Sequence, residues 1–357
     1  MSKSKIYDQP CPCGSGKIFS ECCASKQDDP EFSNPLNFIQ TFKTIRYESK
    51  IKQCLYPDHS KCSERIIDAH SIQNKKILKR ISSDGYIYMP CPKSDNPFAL
   101  MTEWGRKEAT VFTGFCGHHD NEIFEPIENN PFNKSIFHTF LYSYRCFAVE
   151  YHKKQEVANM QQSIFKRKPS LITMPEDKNP FKGMISAIND FQHVKDKFDR
   201  SLLTGDYDIL TSIIWEFPFE VKFAATGFEA PTRDLRGKRI QNLKDFSVLA
   251  EHIFVMVFPE ETKTYCIFSW LKSNDSLFSG IAEQLNSLNY EKRKNYINNL
   301  LPIISENIVL NPDAWNRFGK PQKRSFLSLV GFGANIYELF GITYNRLSSP
   351  SFDLFSM

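Results

Sequence analysis

Ten cysteines and eight histidines carry the metal chemistry open to this chain of 357 residues, and most of the cysteines crowd its first third. The run Cys11-Pro-Cys13-Gly-Ser-Gly-Lys-Ile-Phe-Ser-Glu-Cys22-Cys23 holds four thiols. A d¹⁰ zinc ion accepts four thiolates without geometric penalty, at about 2.3 Å each. Cys11 and Cys13 place two sulfurs on one tight turn, Gly14-Ser-Gly16 lets the backbone fold back, and Cys22-Cys23 return the last two ligands. So short a segment buries no core of its own, so metal binding would supply its folding free energy.

A second set of candidate ligands follows. Cys54 and Cys62 flank a loop containing Pro57-Asp58-His59, and the stretch through Ile67-Asp-Ala-His70-Ser71 reads as a strand. Gly85-Tyr-Ile-Tyr-Met89 is a second strand, and Phe115-Cys116-Gly-His118-His119-Asp120-Asn121 opens a helix. A Cys pair, a hairpin and a Cys-x₂-His at a helix start form the layout of a treble-clef zinc site. Cys54, Cys62, Cys116 and His119 would close its tetrahedron, with His70 competing with Cys54 for the fourth place. His118 is either functional or an exposed neighbour of His119. Lys75, Lys76, Lys79 and Arg80 form a basic cluster just after His70, which suits a phosphate backbone and equally a solvated helix face. Cys146 and Cys266 sit in apolar surroundings and read as core residues.

Cys11-Pro-Cys13-Gly-Ser-Gly-Lys17 with Cys22-Cys23 resembles the SEC-C motif, a small zinc knuckle that contacts other proteins and is appended to many unrelated ones. Residues 50–128 resemble HNH-like, treble-clef proteins. That second resemblance implies an endonuclease in which a His at the end of the first strand activates water and a divalent ion stabilises the scissile phosphate. It gives His70 the role of general base, and it assigns Mg²⁺ or Mn²⁺ to His118, Asp120 or Asn121. The sequence departs from the family where Ala69 stands directly before His70; Asp68, two residues from His70, would face the same way along a strand. Asn74 and Asn96 are candidates for the family's middle Asn. A protein of this kind suits bacterial defence. The competing reading is a non-catalytic zinc adaptor binding protein or nucleic acid.

The rest of the chain must position these groups. Pro131–Lys168 reads as one long helix, with Ile136, Phe137, Phe140, Leu141, Tyr144, Phe147 and Tyr151 recurring at three- and four-residue steps. Pro175–Pro180 is a turn-rich boundary, and a second helix runs from Lys182 to about Leu203. Trp215, Phe217, Phe219, Val221 and Phe223 alternate with polar residues as one half-buried strand, which Pro218 places at an edge or bulge. Residues 253–258 and 265–271 form a hairpin of core strands. Helices follow at about 276–288, 291–306 and 321–340. The expected organisation is a knuckle over 1–26, a treble-clef region over 50–128, a helical region over 131–205 and an α+β domain over 206–357.

This C-terminal domain carries no Gly-rich phosphate loop, Gly-x-Ser-x-Gly or His-Glu-x-x-His; Gly331-Phe-Gly333 lacks the strand context of a nucleotide loop. Arg233-Asp-Leu-Arg236-Gly-Lys238-Arg239 reads as a solvent-exposed loop that could touch phosphates. The net charge of +4 is too small to argue nucleic-acid or membrane binding by itself. The longest apolar run, Ile253–Phe258, is too short for a membrane span. Met1–Pro10 has no apolar signal core, so the expectation is a soluble cytoplasmic protein with two structural zinc ions.

Overall fold

The computed structural model describes residues 6–63, 65–91, 93, 99–174, 182–243, 245, 248–330 and 345–357. It combines helices and antiparallel sheet, in keeping with the α+β expectation. By contact the chain divides into two units, Met1–Lys52 with Tyr151–His193, and Gln53–Glu150 with Val194–Met357.

The first unit holds the N-terminal cysteines, helix α1 (Phe38–Glu48) and parts of two longer helices. Pro30 opens a single helical turn, where the Asp29 carboxylate accepts from the Glu31 amide. The Glu48 carboxylate pairs with Arg167 at 2.8 Å, and Asp28 accepts from both the amide and the hydroxyl of Ser170. Phe165 and Ile172 are buried against Phe19 and the cysteines, which supplies the apolar cover that the knuckle lacks by itself.

The second unit is built on two sheets. Strand β1 (Ile66–His70) pairs antiparallel with β4 (Val111–Cys116), which runs directly into helix α2 (Gly117–Asn129). Between them in the chain lie β2 (Tyr86–Met89) and β3 (Thr102–Gly105). These join a seven-stranded antiparallel sheet of order β3-β2-β9-β6-β7-β8-β5, with β5 Leu210–Phe217, β6 Phe223–Glu229, β7 Ile253–Glu260, β8 Lys263–Leu271 and β9 Asn307–Leu310. The hairpin expected between the His70 strand and residues 85–89 therefore does not form. Tyr88 bridges to Leu310 instead, while β1 takes β4 as its partner.

Every residue of β7 is buried, because both faces of the sheet are covered. Ile253, Val255 and Val257 pack in one cluster with Phe278, Leu285, Ile297 and Leu300 of helices α5 (Asp275–Ser287) and α6 (Tyr290–Ile304). On the other side Phe254 meets Phe147 and Phe198, and the Phe258 ring stacks on Tyr142 at 4.5 Å. Phe147 and Tyr142 belong to helix α3 (Ile136–Arg167), the long helix read from its stripe, and Phe198 to α4 (Lys182–Thr204). Cys146 and Cys266 are fully buried.

The single strand expected over 215–223 is two. Pro218 has no N–H to continue the ladder, and β5 ends at Phe217. Thr264 then secures the crossing, donating to the Phe219 carbonyl and accepting from the Val221 amide, before β6 begins in another place in the sheet. The last helix is seen as Lys320–Leu329; residues 331–340, Gly331-Phe-Gly333, Pro175–Pro180 and Asn96 lie outside the described residues. Among the described residues no helix is long and apolar enough to cross a membrane.

Candidate metal centres

The first centre is assembled by backbone bonds within a few residues. The Cys11 amide donates to the Lys17 carbonyl at 2.7 Å, the Gly14 amide to Cys11, and Pro10 bridges Ile18, so the chain doubles back. Gly14 and Gly16 take φ of +74° and +76°, a region that L side chains rarely adopt, and a Cβ on Gly14 would collide with Gln162. A 3₁₀ turn at Phe19–Glu21 then presents Cys22 and Cys23, whose amides both donate to the Phe19 carbonyl.

The four sulfurs lie within 4.8 Å of one another, with Cys13–Cys22 at 3.5 Å and Cys22–Cys23 at 3.7 Å. A tetrahedron with 2.3 Å Zn–S bonds has edges of about 3.8 Å. Burial pushes the Cys11 and Cys23 thiols up. Cys13 also feels burial, but bonds from Ser15 and its cysteine neighbours outweigh it and bring that thiol down to about 6. One sulfur is thus poised as thiolate while the crowding opposes further ionisation, a conflict that a divalent cation removes.

The second centre gathers its donors from a loop, a strand end and a helix start. The Gln53 and Leu55 amides donate to Thr113 and Gly114, which lays Cys54 alongside β4. Asp58 caps a short 3₁₀ turn, His59–Lys61, that delivers Cys62. Cys116 ends β4 and caps α2, its sulfur accepting from the His119 amide at 3.5 Å. His119 Nδ1 then stands 3.4, 3.5 and 3.3 Å from the sulfurs of Cys54, Cys62 and Cys116. The S–N edge of a tetrahedral zinc site is about 3.6 Å. The Tyr56 ring stacks on His119 at 4.2 Å. Burial and the two neighbouring cysteines push the Cys62 thiol up to about 12; Cys116 is also raised by burial, but bonds from the His119 and Ser63 amides bring it to about 7. Among the described residues His119 Nε2 is buried without a partner.

His70 lies outside that group of ligands, as the last residue of β1. Its Nδ1 lies 3.0 Å from the Ala109 carbonyl, which can only accept. Nδ1 therefore carries the proton, and Nε2 keeps its lone pair. Burial above all, with the charges of Arg145 and Arg106, lowers the pKa of this imidazole. Asp120 is half-buried, and burial raises its carboxyl against the opposing pull of Arg145. Asp120, Phe124 and Glu128 follow at four-residue steps on one face of α2.

Arg145 of α3 is the functional candidate that sequence reading passed over. It is 4% exposed, sits 4.0 Å above the Phe124 ring and donates to Glu128 at 2.7 Å, and among the described residues its Nε has no partner. Its signal was a lone charge inside an apolar helical stripe. The structure thus draws His70 and Asp120 into the field of one arginine. It leaves His118 exposed and paired with Glu122 at 3.2 Å, and Asn121 exposed. Asp68 is also exposed, opposite a bulge in the β1–β4 ladder. In the basic cluster Lys76 pairs with Glu260 and Arg80 with Glu220, while Asn74 accepts from Arg106 at 2.6 Å. The loop over 233–239 is a turn built on Asp234, which accepts from the Arg236 and Lys238 amides and from Gln284.

The SEC-C motif matches residues 9–25. No curated protein and no solved structure matches the chain. The motif and the two cysteine-rich groups together mark a zinc-binding protein.

Proposed function

We propose that this zinc-binding protein is an HNH-like, treble-clef phosphodiesterase acting on nucleic acid, with His70 as general base. The observation that carries the reading is the fixed tautomer of His70. The Ala109 carbonyl holds the Nδ1 proton, burial keeps the ring neutral, and Nε2 is free to take a proton from water. The zinc at Cys54, Cys62, Cys116 and His119 is structural in this reading. It pins the β4–α2 junction, so that Asp120 follows directly on a ligand. Arg145, buried and paired with Glu128, acts on His70 and Asp120 through its charge. Asp120 offers a carboxylate for Mg²⁺ or Mn²⁺, an ion that can rest on one or two carboxylates plus substrate phosphates and would neutralise charge there. His118 and Asn121 have no part in this arrangement.

A second reading, a non-catalytic zinc adaptor, draws on a different observation. Among the described residues no group of three His, Cys, Asp or Glu ligand atoms includes His70 or Asp120. One experiment separates the two. Zinc-loaded protein is incubated with supercoiled plasmid, single-stranded DNA and RNA in Mg²⁺ or Mn²⁺, beside His70→Ala. Metal-dependent cleavage lost in the variant supports the hydrolase. Substrates intact under every condition leave the adaptor.

A further inference from the structure

The chain's charges nearly cancel, at +4 over 357 residues, yet the connection between β6 and β7 concentrates them. Arg233-Asp-Leu-Arg236-Gly-Lys238-Arg239 carries four cations and one carboxylate. All four cations are exposed, and among the described residues Arg236 and Lys238 form no salt bridge. Like charges set this close repel one another, so a connection that served only to join two strands would not gather them.

The turn is held in one shape from beneath. Asp234 commits its carboxylate to the fold: Oδ1 accepts from the Arg236 and Lys238 amides at 2.9 and 2.8 Å, and Oδ2 from the Gln284 amide nitrogen at 2.8 Å. Gln284, buried on α5, accepts in return from the Leu235 amide at 2.7 Å. Gly237 supplies the φ of +86° that closes the turn, and the Arg233 guanidinium donates to its carbonyl at 2.8 Å. Leu235 and Ile240 pack against the core cluster of the sheet. What faces outward is a fixed group of guanidinium and ammonium donors whose one neighbouring carboxylate is turned to the backbone.

We propose that this turn grips the phosphate backbone of nucleic acid, without regard to base sequence. It rests on nucleic acid being the target at His70 and gives that target a second contact. Guanidinium forks match phosphate oxygens, while the turn offers no aromatic ring for a base to stack on. A membrane is the poorer match, because interfacial anchors insert apolar side chains and those of the turn are packed inward. The turn leads to the start of β7, whereas Lys76 of the segment after His70 pairs with Glu260 at the end of that strand. A strand of eight residues runs about 26 Å, so the turn is a separate contact from the His70 site.

The test uses zinc-loaded full-length protein without Mg²⁺ or Mn²⁺ and fluorescein-labelled DNA duplexes of two unrelated sequences, read by anisotropy between about 50 and 200 mM salt. Each phosphate contact adds about 0.9 to the slope of log affinity against log salt. Arg236→Ala with Lys238→Ala is expected to lower that slope by about two and to weaken both duplexes alike, by at least about tenfold at the lower salt. Arg236→Lys with Lys238→Arg keeps the charge and should keep the slope. Vesicles of phosphatidylcholine and phosphatidylglycerol form a parallel arm, since Val248 and Leu249 are exposed farther along the same connection. A native slope near zero, a slope unmoved by the alanine pair, or vesicles held more tightly than duplex through the same two residues overturns the proposal. The cleavage assay with His70→Ala is read separately. Cleavage that survives such a result leaves the hydrolase standing without this contact, and a slope that falls as expected where no cleavage occurs keeps the contact without the hydrolase.

Discussion

The two cysteine clusters present the same ion with two different tasks. At Cys11–Cys23 the ligands span thirteen residues, and all four are buried beneath Phe19, Phe165 and Ile172. At the second cluster they span Cys54 to His119, and Cys54 and Cys62 are only half-buried. In the first, metal folds a segment that local bonds have nearly shaped already. In the second it clasps a long loop and fixes where β4 becomes α2. Loop-closure entropy grows with the length spanned, so more of the fold depends on the second ion, although the first is better shielded.

The largest effect should follow from breaking the clasp. Cys116→Ser removes a thiolate ligand while leaving an oxygen acceptor at the cap of α2; it is expected to lower zinc content from two ions to one per chain and to destabilise the second unit by more than about 4 kcal/mol, a drop in Tm of about 10 °C or more. Elemental analysis and calorimetry read both. Unchanged Tm with one zinc lost would make the second ion ornamental. Cys13→Ser should also cost one zinc, but hydrogen exchange should rise over residues 9–25 while the main unfolding transition stays put. A chelator added to the native protein is expected to release zinc in two phases, the faster from the half-exposed Cys54/Cys62 cluster. Repeating the release with each Cys→Ser variant assigns the phases, and a faster first cluster would reverse the comparison.

Much of this contrast could be read in the sequence. The first cluster was legible from its short ligand spacing alone; the second needed Cys54 and Cys62 to be joined to Cys116-x₂-His119 across a long stretch of chain, and left His70 competing for the fourth place. The long helix was legible from Phe140, Tyr144 and Phe147, whose period is unambiguous. Sheet pairing was not. Residues 86–89 read as a strand, but periodicity carries no information about which strand it meets, and its partner β9 lies beyond residue 300. The strand over 215–223 failed for a related reason, since alternation continued through Pro218 while the chain left one ladder for another. Arg145 was hidden because a single charge in a helical stripe looks like surface until the tertiary fold covers it.

Smaller effects sharpen the comparison further. Tyr56→Ala removes the ring stacked on His119 and should speed zinc release from the second cluster alone, by about three- to tenfold, an effect of about 1 kcal/mol. Acid separates the regions too, since the first cluster holds no histidine. His70 has a folded pKa below its ordinary 6.5. In that window the unfolded chain binds the extra proton, so stability rises with pH up to about 6.5 and falls below it. His70→Gln should therefore flatten part of the acid limb in Tm measured against pH, and an identical limb in the variant would show the imidazole to be freely solvated.

The place of β9 in the large sheet bears on how the chain is made. Tyr88 pairs with Leu310, and Asn311 donates to the Ile81 carbonyl across 230 residues. A ribosome delivers the β2–β3 hairpin long before the strand that buries its edge. Until then that edge is an open template for pairing with another chain, and contacts of such sequence separation form slowly. The zinc clasp at residues 54–119 closes early by comparison. Early closure of that clasp would hold β1 beside β4 while the β2 edge still waits for its partner.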